Sequence, residues 1–238
     1  MDWRADPMCM DARGWTPLHH AAHFGDLSIA GALIGAKAEV TLSRDKDDAR
    51  VLAERAGGAE GATRHGPPWA PLHLLLARGD ERAVEQMLSW RADPSRRGGP
   101  DGMSPLMLAI SFGHTAVAQL FLRLDTIARQ VDDQDLRGRT ALHFAVMPPN
   151  TSNILVRLLL EAHATPGVRN ESGFAPIDVA RNAGVPEQSP VIKRLLVEEA
   201  VRLVMLRSRC RAQKRYEEAE TVRNELRLRG VTLDIQTE

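Results

Sequence analysis

The residues best equipped for chemistry sit near the start of the chain. His19 and His23 are four apart, with His20 between them. On one helix such a pair shares a face, and two imidazoles at that spacing can share a metal ion. A third ligand is wanting. Cys9 and His65 can be imagined, but nothing in the pattern aims them at the pair. His20 and His23 therefore read as exposed helix positions. Nucleophilic catalysis finds no better footing. Cys9 and Cys210 lie outside any recognisable basic pocket motif, and no Gly-x-Ser-x-Gly elbow occurs. Gly98-Gly99-Pro100-Asp101-Gly102 carries Pro and Asp where a phosphate loop needs backbone N–H groups and a Lys, so it reads as a turn. Asp132-Asp133-Gln134-Asp135 lacks the glycine and the terminal Glu of a calcium loop and reads as the acidic entry to another turn. The expectation is a protein with no catalytic residue, no metal and no cofactor.

Composition narrows the class further. Formal net charge is zero, so the chain as a whole has no bulk attraction to nucleic acid or to acidic membranes. Two cysteines far apart make no disulfide framework, which favours a reducing compartment. The N-terminus carries early acids and no apolar core, unlike a signal or transit peptide. The apolar stretch from Leu195 to Leu206 is broken by Glu198, Glu199 and Arg202, so no membrane span is expected. A cytoplasmic protein, monomeric outside its complexes, is the simplest reading.

The chain instead repeats itself. Gly14-Trp15-Thr16-Pro17-Leu18-His19-His20-Ala21-Ala22-His23-Phe24-Gly25 recurs in altered form from Trp69, Gly102, Gly138 and Gly173. The Thr-like positions Ala70, Ser104, Thr140 and Ala175 are separated by 34, 36 and 35 residues, the period of one helix-turn-helix unit. Thr16, Ser104 and Thr140 stand where an N-cap hydroxyl serves free backbone N–H groups. Pro17, Pro71, Pro105 and Pro176 follow at the first helical position, where a missing N–H costs nothing. Leu18, Leu72, Leu106, Leu142 and Ile177 mark a buried face, and Gly25, Gly79, Gly113 and Gly184 close the helix. Second helices are predicted over Leu27 to Ile34, Glu81 to Leu88, Thr115 to Leu122, Ile154 to Leu160 and Pro190 to Val197. One such unit cannot bury its own apolar face, so stacking must supply the core.

Thr-Pro-Leu-His-x-Ala-Ala-x-x-Gly, followed by an amphipathic helix and an Ala-Asp-Pro-like turn, resembles the ankyrin repeat from about Asp11 to Ala200. The resemblance implies an all-α ankyrin-repeat solenoid, with helix-turn-helix repeats joined by short hairpin turns, over residues 1–200. It also implies that His19, His73 and His143 tie the turn to the helix through the backbone. Met107 and Asp178 fill that place in the other copies, which should lose part of the bracing. The step from Thr16 to Ala70 is 54 residues, so residues 41–68 are expected to hold a truncated, degenerate repeat and a loop. Gly31 and Gly35 should weaken the second helix of the first repeat by about 1 kcal/mol each.

By the same resemblance, the residue before each Thr-like position faces the concave side of the stack. Here these are Trp15, Trp69, Met103, Arg139 and Phe174, with Phe24, Arg78 and Phe112 nearby just before the closing glycines. Such residue types are enriched at the buried centres of interfaces. The expected function is a non-enzymatic interaction module or scaffold that holds a protein partner in this groove. Trp3 and Trp90 fall outside the column and read as packing residues.

The tail, residues 201–238, changes character. Arg202 to Arg229 contains nine basic and four acidic residues. A helical hairpin turning near Tyr216 is expected, with an extended end over Val231 to Ile235. Val201, Leu203, Val204 and Leu206 would cover the last repeat. Lys214 to Asp234 resembles the C-terminal helical segment of cysteinyl-tRNA synthetases, and the helical hairpin of excision-repair proteins has a similar pattern. The His-x-Gly-His and Lys-Met-Ser-Lys-Ser signatures of those enzymes are absent, so aminoacylation is not implied. The alternative function is an RNA-associated adaptor, contacting RNA or an acidic partner through Arg207, Arg209, Arg211, Lys214 and Arg215.

Overall fold

A computed structural model describes residues 6–11, 15–38, 40, 69–99, 101–124, 130–149 and 151–228. The expected degenerate repeat at 41–68, Trp3 and the extended end near Val231 lie outside the described residues.

Helices come in pairs. The first pair is α1 (Pro17–Phe24) and α2 (Leu27–Gly35), and the second is α3 (Pro71–Arg78) and α4 (Glu81–Ser89). Then follow α5 (Pro105–Ser111) with α6 (Thr115–Leu122), and α7 (Ala141–Ala145) with α8 (Asn153–Glu161). The fifth pair is α9 (Pro176–Asn182) and α10 (Pro190–Ala212), after which α11 (Tyr216–Leu228) ends the described chain. Within each pair the two helices pack on each other. Between pairs α1, α3, α5, α7 and α9 form one row, and α4, α6, α8 and α10 form a second.

Local chemistry explains these bounds. Prolines open α1, α3, α5, α9 and α10. Ser104 Oγ accepts from the Met107 N–H at 3.3 Å, as an N-cap should. The second helices carry caps that the repeat pattern did not single out. Asp26 and Asp80 carboxylates each accept a backbone N–H at 3.0 Å, and Ser152 accepts one at 3.3 Å. The closing glycines adopt positive φ as expected. At Gly79 the need is twofold, because a Cβ there would lie 2.3 Å from His114 Nδ1 of the next repeat. Second helices of the first, second and fourth repeats end on left-handed Lys37, Arg91 and His163, with no glycine.

One apolar cluster runs from the first repeat to the fifth. Leu72, Leu75, Val84, Met87, Leu106, Ile110, Val117, Phe121, Leu142, Leu155, Leu159, Ile177, Ile192 and Leu195 are among its buried members. The first repeat keeps a small cluster of its own, Leu18, Ala21 and Ala30, closed by Leu33, Ile34 and Trp90. Gly31 gains a reason here: a Cβ would lie 3.3 Å from the Trp90 ring. Trp90 is thus a packing residue. The first two repeats are in direct contact, because α1 packs on α3.

The tail differs from expectation in two ways. The boundary placed at residue 200 falls inside α10, a 23-residue helix that carries the last repeat straight into the hairpin. Val201 and Leu206 do not cover the last repeat but are exposed, because α10 projects past it. α11 instead folds back along α10, and the contact buries Cys210, Ala219 and Val222.

Candidate functional site

The repeat histidines build the seams on which any surface site depends. His19 Nδ1 lies 3.1 Å from the Thr16 backbone nitrogen, and its Nε2 lies 3.0 Å from the carbonyl oxygen of Trp69 in the next repeat. An N–H can only donate and a carbonyl can only accept, so Nδ1 is bare and Nε2 carries the proton. His73 repeats this with Ala70 N–H and Arg96 O, and His143 with Thr140 N–H and Phe174 O. Burial, partly offset by these backbone bonds, pushes all three imidazoles below their usual pKa, His73 to about 4. With both ring nitrogens of His19 committed, a metal shared between His19 and His23 has no lone pair to use. His20 pairs with Asp11 at 3.0 Å, and His23 lies against Trp15 and Phe24.

Where the histidine is missing, other groups act. Met107 is buried in the third repeat and offers no bond across the seam. Asp101 takes over: its carboxylate lies 2.6 Å from Arg139 and 3.0 Å from Arg137, both in the fourth hairpin. Arg97 bonds Asp133 at 2.9 Å and the Gln134 carbonyl. Asp178 of the fifth repeat keeps half of the histidine's work, accepting the Ala175 N–H at 3.0 Å. The acidic run is therefore turn structure. Asp132 accepts from Thr165 N–H, while Asp135 accepts from Arg137 N–H, Arg139 N–H and Arg139 Nε.

These hairpins set the column. Four residues before Trp15, Arg139 and Phe174 stand Asp11, Asp135 and Asn170, each accepting the N–H of its column residue. The Asx at that offset recurs in the sequence and could have been found there. Trp15, Trp69 and Met103 are half-buried and lean on the core cluster. Arg139 is held by Asp101 and Asp135, with its guanidinium 4.6 Å over the Phe144 ring. Phe174 is exposed.

A second row is joined by direct contacts. Arg78 donates to the His23 carbonyl at 2.7 Å, beside Phe24. His114 reaches the Ala77 carbonyl at 3.1 Å, beside Arg78, and stacks on Phe112. Phe24, Arg78 and Phe112 thus line up along the closing turns of three successive repeats. At the open end of the stack, Cys9, Met10, Trp15, Phe24 and Ile29 help line a hollow of about 610 Å³. The basic residues of the tail gather at the hairpin bend. Arg209, Arg211, Lys214 and Arg215 are exposed there, and Arg215 pairs with Glu218.

Among the described residues, no group of three His, Cys, Asp or Glu side chains is disposed to hold a metal. None of their helices is long and apolar enough to cross a membrane.

Known proteins agree with this architecture. A family model described as ankyrin repeats in three copies matches residues 72–170, and a single ankyrin repeat model matches residues 13–46. Relatives include the mitochondrial disaggregase of Bos taurus, 31% identical over 137 residues, which are 57% of this chain and 19% of that protein. Mouse Rabankyrin-5 is 24% identical over 188 residues, 79% of this chain and 14% of its own length. Mouse NF-kappa-B inhibitor delta is 27% identical over 187 residues, 77% of this chain and 57% of its own. The chain therefore spans between 14% and 57% of these three relatives. The likeness of the tail to cysteinyl-tRNA synthetases gains no support from them. The repeat models together cover more than half of the chain and fall on the stacked helix pairs: the chain belongs to the ankyrin-repeat family.

Proposed function

We propose that the chain is a non-enzymatic protein-binding module whose partner lies along the row of aromatic and basic side chains on the repeats. Ankyrin repeats and relatives such as the NF-kappa-B inhibitor support an interaction role. The observation that carries the choice of surface is the placement of phenylalanine. The chain has five, and three of them, Phe24, Phe112 and Phe174, are 71%, 46% and 43% exposed. A phenyl ring facing water forfeits on the order of 2 kcal/mol of burial. Phe24 and Phe112 stand at equivalent positions before the closing glycines and Phe174 in the neighbouring column, and together they support a surface that is covered in a complex. The repeat histidines His19, His73 and His143 are occupied with backbone, and the acidic run with turns.

The test uses the exposed rings, since the half-buried Trp15 and Trp69 would confound folding with binding. The 238-residue chain and a Phe24→Ala, Phe112→Ala, Phe174→Ala variant are used as baits in the same lysate, with retained proteins quantified by mass spectrometry. The variant should keep its melting temperature and lose the retained partner. Equal retention by both baits would move the site off this surface.

A further inference from the structure

The outer side of α10 is a second unpartnered face, separate from the phenylalanine row. Val197, Val201 and Met205 are spaced four apart, so they form one stripe along the helix. They are 61%, 44% and 68% exposed. Helical geometry sets Arg209 along one edge of this stripe, and Lys193 and Arg211 along the other, whereas Arg202 turns towards Gly167 of the last repeat. Arg209, Lys193 and Arg211 are exposed, and none forms an ion pair with another described residue. Arg194 lies on the stripe itself, and Glu198 is the single acid beside it. The opposite side of α10 is already used, since Leu195 faces the core cluster and Cys210 faces α11.

We propose that this face of α10 docks an acidic amphipathic helix of a partner protein. A narrow apolar stripe at fourfold spacing is met by a second helix whose own apolar row fits between its ridges. Lys193, Arg194, Arg209 and Arg211 outweigh Glu198 around the stripe, so the complement is a helix with Glu or Asp flanking its apolar row. An anionic bilayer is less well served. The stripe has no Trp or Phe to anchor in a headgroup layer. Single-stranded nucleic acid lacks a platform, because no aromatic ring stands on the stripe for a base to stack on.

The probe is a fluorescein-labelled synthetic helical peptide with Leu at every third and fourth position and Glu on both flanks. Its control carries Lys in place of every Glu. Fluorescence anisotropy against the full chain should show binding of the Glu peptide, with the Lys peptide weaker by roughly tenfold or more. Val201→Asp and Met205→Glu should each cost a similar factor, while Phe24→Ala with Phe174→Ala should leave peptide binding unchanged. That control separates this face from the phenylalanine row, so either reading can fail alone. The proposal is overturned by any of the following outcomes. The two peptides bind equally, or the Glu peptide does not bind at all. The α10 variants bind as well as the parent. Phosphatidylserine vesicles or a twelve-residue oligouridine bind through Met205 in preference to the peptide. Binding appears only after residues 229–238 are removed, or sedimentation shows a Val201-dependent dimer.

Discussion

The ring of His73 is fully buried, and its Nε2 donates to the carbonyl oxygen of Arg96 across 2.9 Å. Its Nδ1 accepts the Ala70 N–H, so the neutral ring spans one seam of the stack. Protonation would place an N–H against an N–H. Burial accordingly holds the pKa at about 4, against 6.5 for a free histidine. Below pH 6.5 the unfolded chain takes up a proton that the folded chain refuses, so stability falls as pH drops towards 4. The loss reaches roughly 3 kcal/mol for this residue by the bottom of that window. His19 and His143 are shifted the same way and add to it. Urea midpoints measured between pH 7.5 and 4.5 should decline, and less steeply in His73→Leu. That variant should itself be about 1–3 kcal/mol less stable at pH 7.5, where it strands a buried N–H and a carbonyl. A parallel decline in both proteins would remove His73 from the effect.

The third seam should respond to charge instead. The Asp135 carboxylate has no solvent exposure and accepts two backbone N–H groups as well as the Arg139 guanidinium. Asp135→Ala should cost about 3 kcal/mol, since it strands two backbone donors and leaves the Arg139 guanidinium with Asp101 alone. Asp101→Ala should cost less, near 1 kcal/mol, because Asp101 and its partner Arg137 reach solvent. Equal losses in urea unfolding would show that the buried Asx turn contributes nothing beyond the ion pair.

Backbone strain offers a gain. Arg91 is exposed and left-handed at φ 67, a conformation that glycine adopts freely. Arg91→Gly should raise stability by roughly 0.5–1 kcal/mol, and His163→Gly, at φ 66, by a similar amount. An unchanged or lowered unfolding midpoint in both would show that their side chains contribute more than the strain costs.

What the sequence could tell follows from what its repeats encode. Prolines, closing glycines, histidines and the Ser104 cap are local devices read from residue type and spacing, and they stand where expected, while the Thr16 and Thr140 hydroxyls meet the histidine Nδ1 instead of a backbone N–H. The unbroken run of α10 was not legible. The apolar stretch ending at Leu206 looked like a cap on the stack, because nothing local says where a helix outgrows the body it packs on. The Asp101–Arg139 link was equally hidden, since the two residues belong to different repeats and neither is a repeat signature. In the candidate site, the types of the column residues were visible in advance. Their exposure was not: Arg139 is engaged by carboxylates and the tryptophans lean on the core, whereas the phenylalanines stand open. Residue type gave the same reading for both sets, and only packing separates them.

The two glycines of α2 make the same point as an experiment. Both lower helix propensity by about 1 kcal/mol relative to Ala. A Cβ on Gly35 would meet nothing within 4 Å, while one on Gly31 would sit 3.3 Å from the Trp90 ring that closes the first repeat's small cluster. Gly35→Ala should therefore recover most of its propensity, roughly 0.5–1 kcal/mol given its place at the helix end. Gly31→Ala should recover little, because the gain is spent on moving Trp90. The readout is amide exchange in α1 and α2. Slower exchange in Gly35→Ala alone is the expected result. Equal slowing in both variants would mean that the indole yields freely and that Gly31 is not required by the contact.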